Sequence, residues 1–389
     1  MRILSPVLLL VPIILLVGCG GDSSSAPADR SSDQNHEILS TEIDDAINTT
    51  MARSGATAAI VAVARGGVIV YEQAYGFQDL NQTLPLEVDA LMRAGSIIKP
   101  VTAAAVRSLE ANGVLALSDH VFCFNNNAPC WLSDELLPEI PDARVGDITI
   151  GQLISHQGGW YRDISNDPLV MEVEIREALG LSGPPTQAQI VQYIMQSPLD
   201  FTPGMPDYAY DNYSNFGYLL LGMIIEIAAQ SSYVDYVHAA ITDPFGINPT
   251  DFKLAASRLE EHDSREPNYI SPDLCPSIFT PGRVTFCSEE GADLSNWFAS
   301  GGIITTAGAM ALFAQHYRLP PNYNSGYEVI GEPLNAPAAY GSHGGTLPGL
   351  STMVRQLPTG ESYAVFLNIE FNLEPRLPVL DSLMTLPTE

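Results

Sequence analysis

Ser96 and Lys99 stand three residues apart in "LMRAGSIIKP" (91–100). Lysine is scarce here: Lys99 and Lys253 are the only two, against 15 arginines. A serine hydroxyl is a weak nucleophile until a base takes its proton. On a helix, positions i and i+3 share a face, so this spacing aims an amine at a hydroxyl. Ser96 reads as the N-cap of that helix, which would place the pair at the positive end of the helix dipole and favour a developing alkoxide. Burial would lower the pKa of the amine further, towards a useful base. Alone, the pair also describes an N-cap serine beside a solvated lysine. Two more stretches give it chemical company. Tyr213-Ser214-Asn215 follows Pro203-Gly204 and precedes an apolar helix; a tyrosine there can relay protons and an asparagine can hold an amide or ester. His343-Gly344-Gly345 precedes strand-like sequence, and glycines there let backbone N–H groups approach a substrate as an oxyanion hole.

The elements around these stretches follow from pattern. Residues 37–53 carry apolar positions at intervals of four, an amphipathic helix. Residues 56–76 place two β-branched runs about Gly66-Gly67, a hairpin. Residues 95–113 read as a helix closed by Asn112-Gly113, and 215–230 as a helix apolar almost all round, hence deeply buried. "LSTMVRQL", "PTGE" and "SYAVFLNI" predict a second hairpin over 350–369. Strands at both ends and helices between predict an α/β (α+β) fold: one antiparallel sheet from the N- and C-terminal segments, flanked by helices, with a mostly helical subdomain over roughly 121–298. A cleft is expected where the two meet.

The order Ser-x-x-Lys, Tyr-x-Asn, His-x-Gly resembles the serine β-lactamase and penicillin-binding-protein superfamily on its class C side. The likeness extends through 91–121, "ITIGQLISHQGGW" (148–160), 203–226 and "ASGGIITTAGAMALFAQ" (299–315), covering most of residues 40–370. The resemblance implies Ser96 as the acylated nucleophile, with Lys99 and Tyr213 sharing the proton work, the choice of base left open. It implies Asn215 and His343 as substrate-binding groups with Gly345 and Thr346, and the N–H groups of Ser96 and Thr346 as the oxyanion hole. It implies acyl transfer without metal or organic cofactor. His-x-Gly in place of the Lys-Thr-Gly usual in class C β-lactamases points towards esters or small amides. A D-alanyl carboxypeptidase, a D-peptidase or a β-lactamase is the alternative, with Arg355 or Arg376 holding a carboxylate. A penicillin-binding sensor without turnover is the reading from another class.

Other residues have plainer readings. His156 reads as a hydrogen-bonded histidine shaping the cleft. Trp160 and Tyr161 are candidates for its lining. "EEHD" (260–263) reads as an exposed charge run rather than a metal site.

A formal charge of −28 excludes nucleic acid as a partner and leaves a small ester, amide or peptide. "MRILSPVLLLVPIILLVGCG" is a secretory signal, and "LVGC" resembles the lipobox of bacterial lipoproteins, which implies lipidation at Cys19. An uncleaved anchor is the other reading. Residues 1–19 are then the signal peptide, 20–36 a flexible tether and 37–389 the folded body, exported and held to a membrane through lipid alone. Gly20 favours the outer membrane in a Gram-negative cell. The even number of remaining cysteines favours disulfides Cys123–Cys130 and Cys275–Cys287, with other pairings open.

Overall fold

The computed structural model describes residues 30–139, 141–321, 327–334, 340–373 and 378–383. The expected signal peptide, Cys19 and Arg376 lie outside them. Gly66 and Gly67 both take positive φ, +59° and +78°, which a two-residue turn between twisted strands requires. They join strand β1 (Ala58–Arg65) to β2 (Val68–Gly76). The C-terminal segments supply β3 (Gly341–Leu347), β4 (Leu350–Gln356) and β5 (Glu361–Leu367). The five form one antiparallel sheet in the order β3-β4-β5-β1-β2, with Ile60 opposite Phe366 and Gly345 opposite Thr352. The expected sheet built from both chain ends is present.

Five helices matter to the site: α1 (Arg30–Ser54), α2 (Lys99–Ala111), α3 (Asn215–Ala229), α4 (Ala307–His316) and α5 (Pro378–Leu383). Helix α1 starts at Arg30, so residues 30–36, expected as tether, are its first turns. Strand β1 is apolar on both faces because both are covered. Ala59, Val61 and Val63 pack with Ile43 and Ile47 of α1, while Ile60, Ala62 and Ala64 join the larger core with Phe313 of α4.

The middle of the chain is a set of short helices and 3-10 turns around α3, ten of whose residues are buried. Sequence reading missed a small sheet there: Ile303–Thr305 lies between Met92–Arg93 and Phe252–Leu254. Runs this short carry almost no period. This sheet seats the chain just before Ser96, with Ala94 N–H donating to the Ile303 carbonyl at 2.8 Å. Both expected disulfides are formed, each with a Cα–Cα distance of 5.0 Å.

Candidate active site

Residues Gly95–Ile98 form a 3-10 turn that runs directly into α2. The expected N-cap role of Ser96 is therefore corrected: the cap position of α2 is Ile98, without a side-chain hydrogen bond, and Ser96 lies inside the preceding turn. The tighter winding brings the pair closer, since side chains at i and i+3 eclipse on a 3-10 helix. Lys99 Nζ stands 3.1 Å from Ser96 Oγ.

Lys99 is wholly buried. Its amine also donates to Asn215 Oδ1 at 2.6 Å and to the Ser300 carbonyl at 2.8 Å, and lies 4.8 Å from the Tyr213 ring centroid. Burial pushes its pKa well below the ordinary lysine value; Asp167 opposes that and Arg162 adds to it. A neutral amine has two N–H groups and one lone pair. Asn215 and Ser300 take the two N–H groups, which leaves the lone pair for the Ser96 hydroxyl. The arrangement can act as a general base on Ser96.

Strand β3 closes the other side of Ser96. A Cβ on Gly345 would lie 2.6 Å from the Ala94 carbonyl oxygen and 2.9 Å from Ser96 N, besides overlapping Thr352 Oγ1. Only glycine lets the strand come so near. A Cβ on Gly95, which has φ +58°, would meet Thr346 N at 3.3 Å. Thr352 Oγ1 donates to the Ala94 carbonyl at 2.6 Å and locks strand to turn. The amides of Ser96 and Thr346 are thus brought to one place, as an oxyanion hole needs.

Ser96, Tyr213, Asn215, Gly345 and Thr346 line one cleft of about 1180 Å³. Its farther wall mixes apolar side chains, among them Val170, Ile270, Trp297, Met353, Phe371 and Leu373, with the carboxylates of Asp273 and Glu370. Asn215 commits Oδ1 to Lys99, so its NH₂ half is what it can offer a ligand. His343 departs from expectation. It is 1% exposed, hydrogen-bonds the Gly344 carbonyl through Nδ1 at 2.8 Å, and sits beside Tyr327 behind the cleft wall. Burial, reinforced by Lys99, pushes its pKa down to about 3, so it is neutral. It shapes the wall rather than lining the cleft.

His156 is buried as expected: Nδ1 accepts the Ser214 N–H at 3.0 Å, and its ring stacks on Tyr213 with centroids 4.3 Å apart. Trp160 packs edge-on against Phe216 and Tyr161 at a tilt against Phe201, and neither lines the cleft. Arg355 cannot hold a substrate carboxylate, because it is 3% exposed and paired with Asp381 of α5 at 2.6 Å. The "EEHD" run is partly structural: His262 meets Arg93 at 2.9 Å and Asp263 pairs with Lys253 at 2.7 Å. Sequence reading missed Arg162, a cation that lines the cleft, and Asp167, a buried carboxylate beneath it. "SNDP" offered no pattern by which to single Asp167 out.

The sequence model described as "Beta-lactamase" matches residues 43–361. The chain belongs to the beta-lactamase family. It is 26% identical over 234 residues to "Penicillin-binding protein 4*" of Bacillus subtilis (strain 168), covering 55% of this chain and 44% of the relative. It is 27% identical over 226 residues to "Esterase EstB" of Burkholderia gladioli, covering 56% and 52%. The chain thus spans about half the length of these curated relatives. Among solved structures it is similar to a D-amino acid amidase from Ochrobactrum anthropi SV3, with TM-score 0.62, 18% identity, and 89% and 98% of the two chains covered. A beta-lactamase/D-alanine carboxypeptidase from Pseudomonas syringae gives TM-score 0.61, 16% identity, and coverage of 90% and 100%. These structures share its fold. The family and the fold are those the three motifs implied: a beta-lactamase-fold serine hydrolase family.

Proposed function

We propose that this chain is an exported serine hydrolase that cleaves esters or small amides through an acyl-enzyme on Ser96. Ser96 Oγ attacks the substrate carbonyl carbon while its proton passes to Lys99 Nζ. The oxyanion forms against the N–H groups of Ser96 and Thr346. The proton is then delivered to the departing alkoxide or amine, with Tyr213 beside the amine as relay. Water, giving up a proton to the same base, hydrolyses the acyl-enzyme, and Ser96 recovers its hydrogen.

The observation that carries this reading is the buried Lys99 amine, 3.1 Å from Ser96 Oγ and held from behind by Asn215 Oδ1 and the Ser300 carbonyl. The apolar side chains of the far wall favour an ester with an apolar acyl or alkyl group, and Asp273 and Glu370 beside them favour a substrate without a carboxylate. Cys19 as a lipid anchor fits the leader sequence, and disulfides fit an oxidising compartment.

One observation favours a second reading, a D-peptidase or amidase. Arg162 lines the cleft, half exposed, 3.6 Å from Asp211, and could receive a substrate carboxylate. The test compares p-nitrophenyl acetate and butyrate, nitrocefin and a D-Ala-D-Ala peptide, with Ser96→Ala as control. Ester turnover that vanishes in Ser96→Ala supports the first reading. Peptide turnover without ester turnover moves the assignment to the second, and nitrocefin turnover alone moves it to a β-lactamase. Stoichiometric labelling of Ser96 without turnover contradicts the enzyme reading and favours the sensor.

A further inference from the structure

Three consecutive backbone N–H groups of the Tyr213–Asn215 stretch each donate to a side chain. Tyr213 N reaches Asp211 Oδ1 at 3.0 Å, Ser214 N reaches His156 Nδ1 at 3.0 Å, and Asn215 N reaches Asp167 Oδ2 at 2.6 Å. The third acceptor is the unusual one. Asp167 is 4% exposed, and its other oxygen takes the Leu169 N–H at 3.1 Å. Burying a carboxylate is costly unless something answers its charge. Capping α3 does not account for it, because Ser214 Oγ already caps that helix through the Gly217 N–H at 3.0 Å.

Asn215 joins this carboxylate to the reacting groups. Its backbone N–H is held by Asp167, and its side-chain oxygen receives Lys99, which in turn faces Ser96. The charged groups that act on Lys99 are Asp167 and Arg162, with His156 and His343 nearby and the rings of Tyr213 and Tyr218 against the amine. Both histidines are held neutral by burial. Among these groups Asp167 is the one acid.

Resting on the hydrolase reading above, we propose that Asp167 is a positioning residue of this site, which fixes Asn215 and supplies the buried negative charge against which the Lys99 amine gives and takes its proton. Burial leaves the pKa of Asp167 above the ordinary carboxylate value, and the two backbone N–H groups, Lys99 and Arg162 oppose that in part, favouring its ionised form. Its negative charge makes a proton on Lys99 less unfavourable than burial alone would. A base too depressed to accept a proton would be useless, so the countercharge keeps the amine within working range.

The chain's two lysines make the test direct, because [15N-ε]lysine labelling gives one side-chain signal from Lys99 and one from Lys253. Asp167→Asn removes the charge at nearly the same shape. The NMR titration midpoint of Lys99 is expected to fall by about one pH unit or more in this variant. The acid limb of kcat/KM should move to lower pH with it, and Lys253 should stay unmoved. Asp167→Glu, which keeps the charge but displaces it, should hold the midpoint near wild type while kcat falls about tenfold. A folded Asp167→Asn protein whose Lys99 midpoint does not fall overturns the proposal. If Asp167→Asn does not fold, the Glu variant decides: a retained midpoint supports the proposal and a fallen one overturns it. The NMR readout needs no turnover, so failure here is distinct from failure of the hydrolase reading.

Discussion

The two walls of the cleft are built in opposite ways. The wall formed by the Gly95–Ile98 turn, α2 and the start of α3 is polar, buried and closely hydrogen-bonded: Lys99, Asn215, Asp167 and His156 each have named partners within 3.1 Å. The far wall, from Ile270 to Asp273 and Ile369 to Leu373, is loop, with apolar side chains (Ile270, Pro272, Ile369, Phe371, Leu373) interleaved with Ser271, Asp273, Glu370 and Asn372. It is tied down by the Cys275–Cys287 disulfide, whose Cys287 N–H donates to the Asp273 carbonyl at 2.9 Å. A buried polar network holds its geometry because each loss leaves a costly unsatisfied group. Most side chains of the loop wall are exposed or half-buried, so it can change shape without that penalty. The contrast assigns the reaction to the first wall and the choice of substrate to the second.

Substitutions that break the contrast should differ in size and in kind. Lys99→Ala should lower kcat by roughly 10⁴-fold or more with little change in KM, read in steady-state ester kinetics. A loss expressed mainly in KM would contradict the division of labour. Gly345→Ala should cost about 10²-fold in kcat/KM, because the added Cβ must push β3 away from Ala94 and Ser96 and carry Thr346 N–H with it. Unchanged kinetics in a folded Gly345→Ala protein would remove the oxyanion assignment. On the far wall, Phe371→Ala should raise KM for the butyrate ester by roughly tenfold while sparing kcat on acetate. Equal effects on the two esters would show that this wall does not select the acyl group.

A separate effect concerns stability rather than turnover. His343 has a pKa near 3 when folded and an ordinary histidine value when unfolded. The unfolded chain therefore binds the proton more readily between those values. Stability is fully present above pH 6.5 and declines as pH falls towards 3, by at most about 1.4 kcal/mol per pH unit from this residue. Urea melts of His343→Asn against wild type should show a shallower acid decline in the variant. Parallel declines would contradict the placement of His343 as a neutral, buried wall residue.

The sequence made the two walls legible to different degrees. Ser96, Lys99, Tyr213 and Asn215 stood out because scarce or reactive residue types met at fixed spacing beside clear helices. Both sheet hairpins were legible from their turn glycines and β-branched runs. His343 was placed on the cleft because its motif was read as a unit, but along a strand the residues alternate in facing and burial hid its ring. Arg355 was offered to the substrate because no sequence pattern reveals its partner, Asp381, 26 residues on. Asp167 was invisible for the same reason: it accepts the N–H of Asn215, 48 residues ahead, and its charge acts on Lys99, 68 residues behind, which no local period encodes.

The most direct test of the account is where the acyl group goes. The full chain is mixed with p-nitrophenyl acetate, quenched in acid within the first turnovers, digested and read by mass spectrometry. The account predicts an acetyl group on the peptide containing Ser96, absent in Ser96→Ala and strongly reduced in Lys99→Ala. Ester turnover without that adduct, or an adduct elsewhere that survives Ser96→Ala, would contradict it.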